Sequence, residues 1–480
     1  MKKNYTKNII ENFKKISKIP RQSGDEAMIS NYIKEYAKKF DHDVYQDEYN
    51  NLIIKQLNNP ENKTIILQGH LDMVYETNDS SSKEYKDGIK LDISEDTIKG
   101  VGTSIGADNG IAIAYFMELM KMKNDNLPNI EYVLTVEEEV GLTGASNLDV
   151  SNLKGRTMIN LDTEDEGIFI VSCAGGIRNR TYIDIERTEL NKDNWETLKI
   201  FFNSSKGGHS GLDIDENRIN AIKASGKLLY ELVNNFNIKL GDIKCDGKAN
   251  AIPKKCEFVI AIEKINQHEI KKHIENFVNN MNRNFTNDDI LEAKINNNNL
   301  KHFYNDNTRD KIINFINLYP NGPLSYNKDL DYLVQTSANL GAIEEKENKL
   351  ILLSSIRSSN KLEKYEVVDK IKIVSKILNI KSEFFNDYPQ WEYKSESKIR
   401  DICLNEYENL YNKKGKVSAI HAGLECGYFD SKIKNIDMIS MGPNIYNPHT
   451  TEEYISIKSV DRMWKFLLQV LQKYSMDDCA

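Results

Sequence analysis

Apolar residues recur at helical spacing near the start of the chain. Residues 5–20 and 25–40 both read as amphipathic helices, the second through Ile29, Tyr32, Ile33, Tyr36 and Ala37. The pattern then shortens to four apolar runs of strand character at 64–67, 132–136, 158–161 and 437–441. Between the first two, residues 111–122 read as a helix, with Asp108 just before its start. Each run is followed at once by an acid- or histidine-bearing motif or a Gly-rich turn. In an open α/β sheet, ligands bind beyond the carboxyl ends of the strands.

From about residue 181 the texture changes. Strand-like 198–203 pairs with helix-like 219–233, 258–263 with 270–281, and 349–357 with 361–378. None of these segments ends in a cluster of acids and histidines. The chain therefore divides into a first domain over 1–180, an inserted domain over 181–384, and a return to the first domain over 385–480. The return is required if His449 is to join the other candidate ligands.

Composition narrows the classes. At 480 residues the chain exceeds a single core, and 40% hydrophobic with 28% charged residues is ordinary for a globular protein. A net charge of -8 with no Lys/Arg-rich block argues against nucleic acid as a partner. The apolar stretch 111–120 is interrupted by Glu118 and is too short to span a bilayer, so no membrane is expected. The opening Met1-Lys2-Lys3-Asn4-Tyr5 has no apolar core behind it, and the six cysteines form no C-x-x-C pair. Reduced thiols in a cytoplasm are the expectation.

The chemistry is carried by five short motifs: Gly-His-Leu-Asp at 69–72, Gly-Ala-Asp-Asn-Gly at 106–110, Glu-Glu-Val-Gly at 138–141, Asn-Leu-Asp at 160–162 and Asn-Pro-His at 447–449. They supply the imidazole nitrogens and carboxylate oxygens that a pair of divalent metals needs. His70 and Asp72, two apart on extended chain, face one side, where the acid can orient the imidazole. Asp108 can bridge two cations or serve as an ordinary helix cap. In Glu137-Glu138-Glu139 one acid can ligate while a neighbour takes a proton from water; the alternative is a solvated acidic turn. Asp162 precedes Glu164, Asp165 and Glu166, so chemistry alone leaves the ligand open among them. Four of the eight histidines (His70, His209, His421, His449) stand in Gly- or Pro-rich settings. His268-Glu269 with His273 imitates a zinc signature, but its histidines are five apart and face different ways on a helix. No G-x-S-x-G elbow occurs, which weakens a serine or cysteine nucleophile. A metallohydrolase is the leading reading.

At these residues the chain resembles the dinuclear zinc dipeptidases, whose superfamily includes carnosinases, glutamate carboxypeptidases and acetylornithine deacetylases. The matching segments are Gln68–Val74, Gly106–Gly110, Glu138–Gly141, Asn160–Asp162, Cys173–Gly176, Gly207–Gly211, Asn250–Pro253, Ser355–Ser358, Ile420–Gly427 and Gly442 to His449. Cys173–Gly176 and Ile420–Gly427 point to the aminoacylhistidine dipeptidase branch. The resemblance implies a zinc-exopeptidase-like catalytic domain, its mixed sheet flanked by helices, with an inserted α+β lid and dimerisation domain. It implies two Zn2+ per chain, with Mn2+ or Co2+ as alternatives: His70 and Asp162 on one, Glu139 and His449 on the other, Asp108 bridging. Asp72 would orient His70, and Glu138 would be the general base, a register set by the spacing to Gly141. His209 would stabilise the oxyanion across a homodimer interface, and Arg357 would receive the substrate carboxylate. His421 and Glu425 are expected near the substrate. The implied activity is hydrolysis of unblocked dipeptides, Xaa-His among them. The rivals are a deacylase or longer-peptide exopeptidase of the same superfamily, and a non-catalytic relative that binds metal or peptide.

Overall fold

The apolar runs at 64–67 and 132–136 form the strands Thr64–His70 and Asn129–Thr135, buried along nearly their whole length in a computed structural model. That model describes residues 5–78, 88–190, 194–285, 289–330 and 333–476; Cys479 lies outside them. Strands covered on both faces read as continuous apolar runs, as these do. The chain forms two units, residues 1–173, 393–419 and 424–480 in one, and 174–392 with 420–423 in the other.

The first unit holds an eight-stranded mixed sheet. Its order is Asp43–Gln46, Leu52–Gln56, Asn129–Thr135, Thr64–His70, Thr157–Asn160, Asp437–Ser440, Ile168–Cys173 and Lys416–Ile420. Four central strands run parallel, from Asn129–Thr135 to Asp437–Ser440. Register brings their carboxyl ends level, with His70 opposite Thr135 and Gln68 opposite Asn160. Each chain segment leaving these strands therefore starts on the same edge.

The helix Ala107–Leu119 packs on Thr64–His70 and is apolar all round, which is the composition of a helix with no face to water. Tyr5–Ile16 packs against it in turn. Phe116 is fully buried, its ring 5.3 Å from that of Tyr132. Helices Lys398–Tyr411 and Ile457–Met476 pack on each other.

The second unit is α+β, and its larger sheets are a four-stranded and a five-stranded one, both antiparallel. One orders Ile238–Lys244, Lys255–Glu263, Trp195–Ser204 and Leu291–Asn297; the other orders Gly322–Tyr326, Val334–Lys346, Lys349–Ser358, Gly175–Asp184 and Lys381–Tyr388. Helices Ala221–Asn235, Gln267–Asn284 and Lys361–Ile377 carry the helical periods read from the sequence. His273 in the second of these lies 3.0 Å from Glu231, so this part of the imitation zinc signature is a polar contact between helices. Among the described residues, no helix is long and apolar enough to cross a membrane.

Phe116→Ala empties a dry site beneath the sheet edge. The expected loss is about 3–5 kcal/mol of unfolding free energy, read by denaturant titration.

Candidate metal centre

Strand geometry sets the first contact. His70 is the last residue of its strand, and its Nδ1 lies 3.2 Å from Asp72 Oδ1. Asp72 is fully buried and heavily used. Its oxygens also accept from the Ser23 hydroxyl at 2.8 Å and from the backbone amides of Glu138 and Glu139 at 3.1 and 3.2 Å. One carboxylate thus fixes both the imidazole and the acidic turn after the neighbouring strand.

Asp108 is no helix cap. It sits at the second position of Ala107–Leu119 with non-helical φ -78° and ψ 107°, and its peptide bond to Asn109 is cis. Its Oδ1 is 3.0 Å from His70 Nε2, and its Oδ2 is 3.2 Å from His449 Nε2. Each oxygen faces a different histidine. His449 Nε2 also lies 2.9 Å from Glu139 Oε1, and His70 Nε2 lies 3.3 Å from Asp162 Oδ1. Of the acids after strand Thr157–Asn160, it is Asp162 that joins this cluster.

Three overlapping groups have donor atoms within 4.8 Å of one another: His70 with Asp108 and Asp162, Asp108 with Glu139 and His449, and His70 with Glu138 and Glu139. No thiol takes part. The donor set of imidazoles and carboxylates, shared through Asp108, fits a pair of borderline-to-hard divalent ions.

The electrostatics agree. Burial opposes a charge on His70, yet Asp162, Asp108 and Asp72 together hold its proton on well above the ordinary imidazole range. Hydrogen bonds to Asp108 and Glu139 raise His449 to about 11. Asp108 is driven well below the usual range, since the two histidines outweigh its burial. Burial lifts Asp162 to about 6 and Glu164 to about 7, and it raises Glu138 well above the ordinary value despite the charge of His70.

Below the centre runs a buried polar chain that ends on Glu425, one of the residues singled out in the sequence. Asn160 donates to Gln68 Oε1 at 2.5 Å, and Gln68 donates to Glu425 Oε2 at 2.5 Å. Thr135 also donates to Glu425 Oε2, at 2.6 Å. Glu425 is fully buried, and burial lifts its carboxyl to about 8. Asn109 ties Asp162 Oδ1 (2.7 Å) and the Leu161 carbonyl (2.6 Å) to the backbone of His70. Two further residues missed in the sequence, Arg21 and Glu453, bind the backbone beside Asp108. Only the position of Glu453, four residues beyond His449, hinted at it.

His209, Arg357 and His421 lie in the second unit and form a cluster of their own. Arg357 Nη2 is 3.3 Å from His209 Nε2, and Arg357 Nη1 donates to Tyr388 Oη at 3.1 Å. His209 Nδ1 accepts from the amides of Gly211 and Leu212 at 3.3 and 3.2 Å. Burial and then Arg357 lower its pKa, so the ring is neutral. With Nδ1 accepting, the proton is on Nε2, which faces another donor. His421 Nε2 is 2.7 Å from Ser337 Oγ, and burial first, then Arg357, lower it to about 3.

Imidazole and carboxyl groups ligate an ion only when deprotonated, so binding at these residues releases protons. Zinc affinity is therefore expected to rise with pH. Calorimetry in buffers of different ionisation enthalpy counts the protons released, and binding without release would contradict ligation by these residues.

Comparison with known proteins fits this geometry. Residues 66–473 match the profile of peptidase family M20/M25/M40. The cytosol non-specific dipeptidase of Escherichia coli (strain K12) is 31% identical over 471 residues, covering 96% of each chain. The crystal structure of an aminoacylhistidine dipeptidase from Vibrio alginolyticus superposes with a TM-score of 0.90 at 30% identity, over 97% of this chain and 96% of that one. Aminopeptidase PepT from Bacillus cereus superposes with a TM-score of 0.56 over 98% of both chains at 14% identity, a likeness of fold alone.

Proposed function

The chain belongs to peptidase family M20/M25/M40, and on that premise we propose that it is a metal-dependent dipeptidase acting on unblocked dipeptides, Xaa-His among them. The observation that carries this reading is Asp108, with one oxygen turned to His70 and the other to His449. His70 and Asp162 would hold one ion, Glu139 and His449 the other, with Asp108 shared. Zinc suits these donors, as would manganese or cobalt. Such a pair supplies Lewis acidity and makes water acidic enough to ionise near neutral pH.

The residues then have distinct tasks. Asp72 accepts from His70 Nδ1 and so turns Nε2 toward the ion. Glu138, grouped with His70 and Glu139, takes a proton from the attacking water. The water oxygen bonds to the scissile carbonyl carbon, the C–N bond breaks, and Glu138 returns the proton to the leaving amine. His209 donates through Nε2–H to the oxyanion. Arg357 receives the substrate carboxylate, a planar anion matched to its fork. In support of both, Arg357 Nη2 and His209 Nε2 are two donors turned toward each other, and an anion between them relieves that conflict. Residues 181–384 serve as a lid and dimerisation domain, with His209 supplied by a second copy in a homodimer. The location in the E. coli relative's name supports a cytoplasmic enzyme.

The test is hydrolysis of Ala-His, beta-Ala-His and an N-acetylated amino acid by zinc-loaded wild type and Glu138→Ala, with bound metal counted. Free dipeptides are expected to be cleaved, and the variant to lose on the order of 10²–10⁴-fold in kcat while keeping its metal. Turnover of the acetylated compound alone would replace this reading with a deacylase. No turnover by metal-loaded wild type would leave a binding role.

A further inference from the structure

The inference rests on the metal-dependent reading and concerns two residues outside the donor set. We infer that Arg21 and Glu453 are positioning residues that grip the backbone beside Asp108 from opposite sides and thereby set how tightly the centre holds its ions.

Glu453 is 2% exposed. Its Oε2 accepts from the amides of Ile105 and Gly106 at 2.8 and 3.0 Å, and its Oε1 accepts from the amide of Ala107 at 2.8 Å. Three consecutive N–H groups, ending one residue before Asp108, converge on one carboxylate. Arg21 is fully buried and takes the carbonyl side of the same segment. Its Nη2 donates to the Gly106 carbonyl, and its Nη1 donates to those of Leu71 and Asp72 at 3.1 and 2.8 Å. The guanidinium thus joins the turn after His70 to the turn before Asp108. The carboxylate joins that turn to the segment four residues beyond His449.

Both charges are satisfied by backbone groups, an expensive way to hold a turn that serine or asparagine holds without charge. What charge adds is shorter, stiffer bonds. Stiffness matters here because Asp108 must present two oxygens in two directions at once. The glycines of the motif make room for the grip. A Cβ at Gly106, where φ is +61°, or at Gly110 would stand 2.5 Å from Arg21 Nη2. Groups that support metal ligands typically contribute about 10–100-fold in metal affinity.

Zinc-loaded wild type, Glu453→Gln and Glu452→Gln, an exposed neighbour, are titrated with a competing chelator, and the metal retained is counted by mass spectrometry. Wild type and Glu452→Gln are expected to keep about two ions per chain to the same chelator concentration. Glu453→Gln should lose metal at about 10–100-fold less chelator, and excess zinc should restore its kcat at unchanged KM. If its release curve matches wild type while only its melting temperature falls, Glu453 is a structural cap and the inference is wrong. Wild type that retains no metal would overturn the dipeptidase reading itself, and the positioning role with it. Glu453→Asp keeps the charge one methylene short and gives the same two-way reading should the glutamine variant not fold.

Discussion

Like-charge repulsion among clustered carboxylates is the constraint to which the first unit answers. Asp72, Asp108, Glu138, Glu139 and Asp162 gather around two imidazoles, Asp72 fully buried and the other four half-buried. Acids this close do not all ionise readily without a cation among them. Contacts of Asp108 and Asp162 with His70, and of Asp108 and Glu139 with His449, offset part of that repulsion. A pair of divalent ions offsets the rest. The arrangement is therefore tuned to be occupied, and its surroundings hold the acids together against their repulsion in the meantime.

That holding is done mostly by neutral and backbone groups from distant sequence. Register in the parallel strands does the coarse work, bringing His70, the 137–139 turn and Asp162 to one edge. Asp72 does the fine work between two of them, and Asn109 between the first and the third. The Gln68, Thr135 and Glu425 network lies one layer down, where a protonated Glu425 adds no further negative charge.

This layering explains what could be read from residues alone. The strand runs, the side shared by His70 and Asp72, and the helix after Asp108 follow from local periodicity, which is written into neighbouring positions. The resolution of Asp162 from Glu164, Asp165 and Glu166 does not, because it depends on Asn109 reaching across 53 positions. Asp108 looked like a residue ahead of a helix; its non-helical ψ of 107° is set by what its carboxylate meets and not by helix propensity. Ser23 and Arg21 act over separations of 49 and 85 residues with nothing in their own neighbourhoods to mark them, and Glu453 acts over 346 with only its place near His449 as a hint. Within the second unit, the long strands Gly175–Asp184 and Val334–Lys346 escaped notice because their inward positions mix Asn, Ser and Thr with apolar residues.

The second cluster has the opposite deficit. Arg357 and His209 set donor against donor, and the neighbouring His421 is kept neutral by burial and by the same guanidinium. An acid-rich centre lacks positive charge, and a donor-rich cluster lacks an acceptor. A carboxylate or an oxyanion supplies the second, as divalent ions supply the first. Neither cluster's charges and donors are balanced from within, and preorganised groups act on a developing charge only if they are not already satisfied by one another.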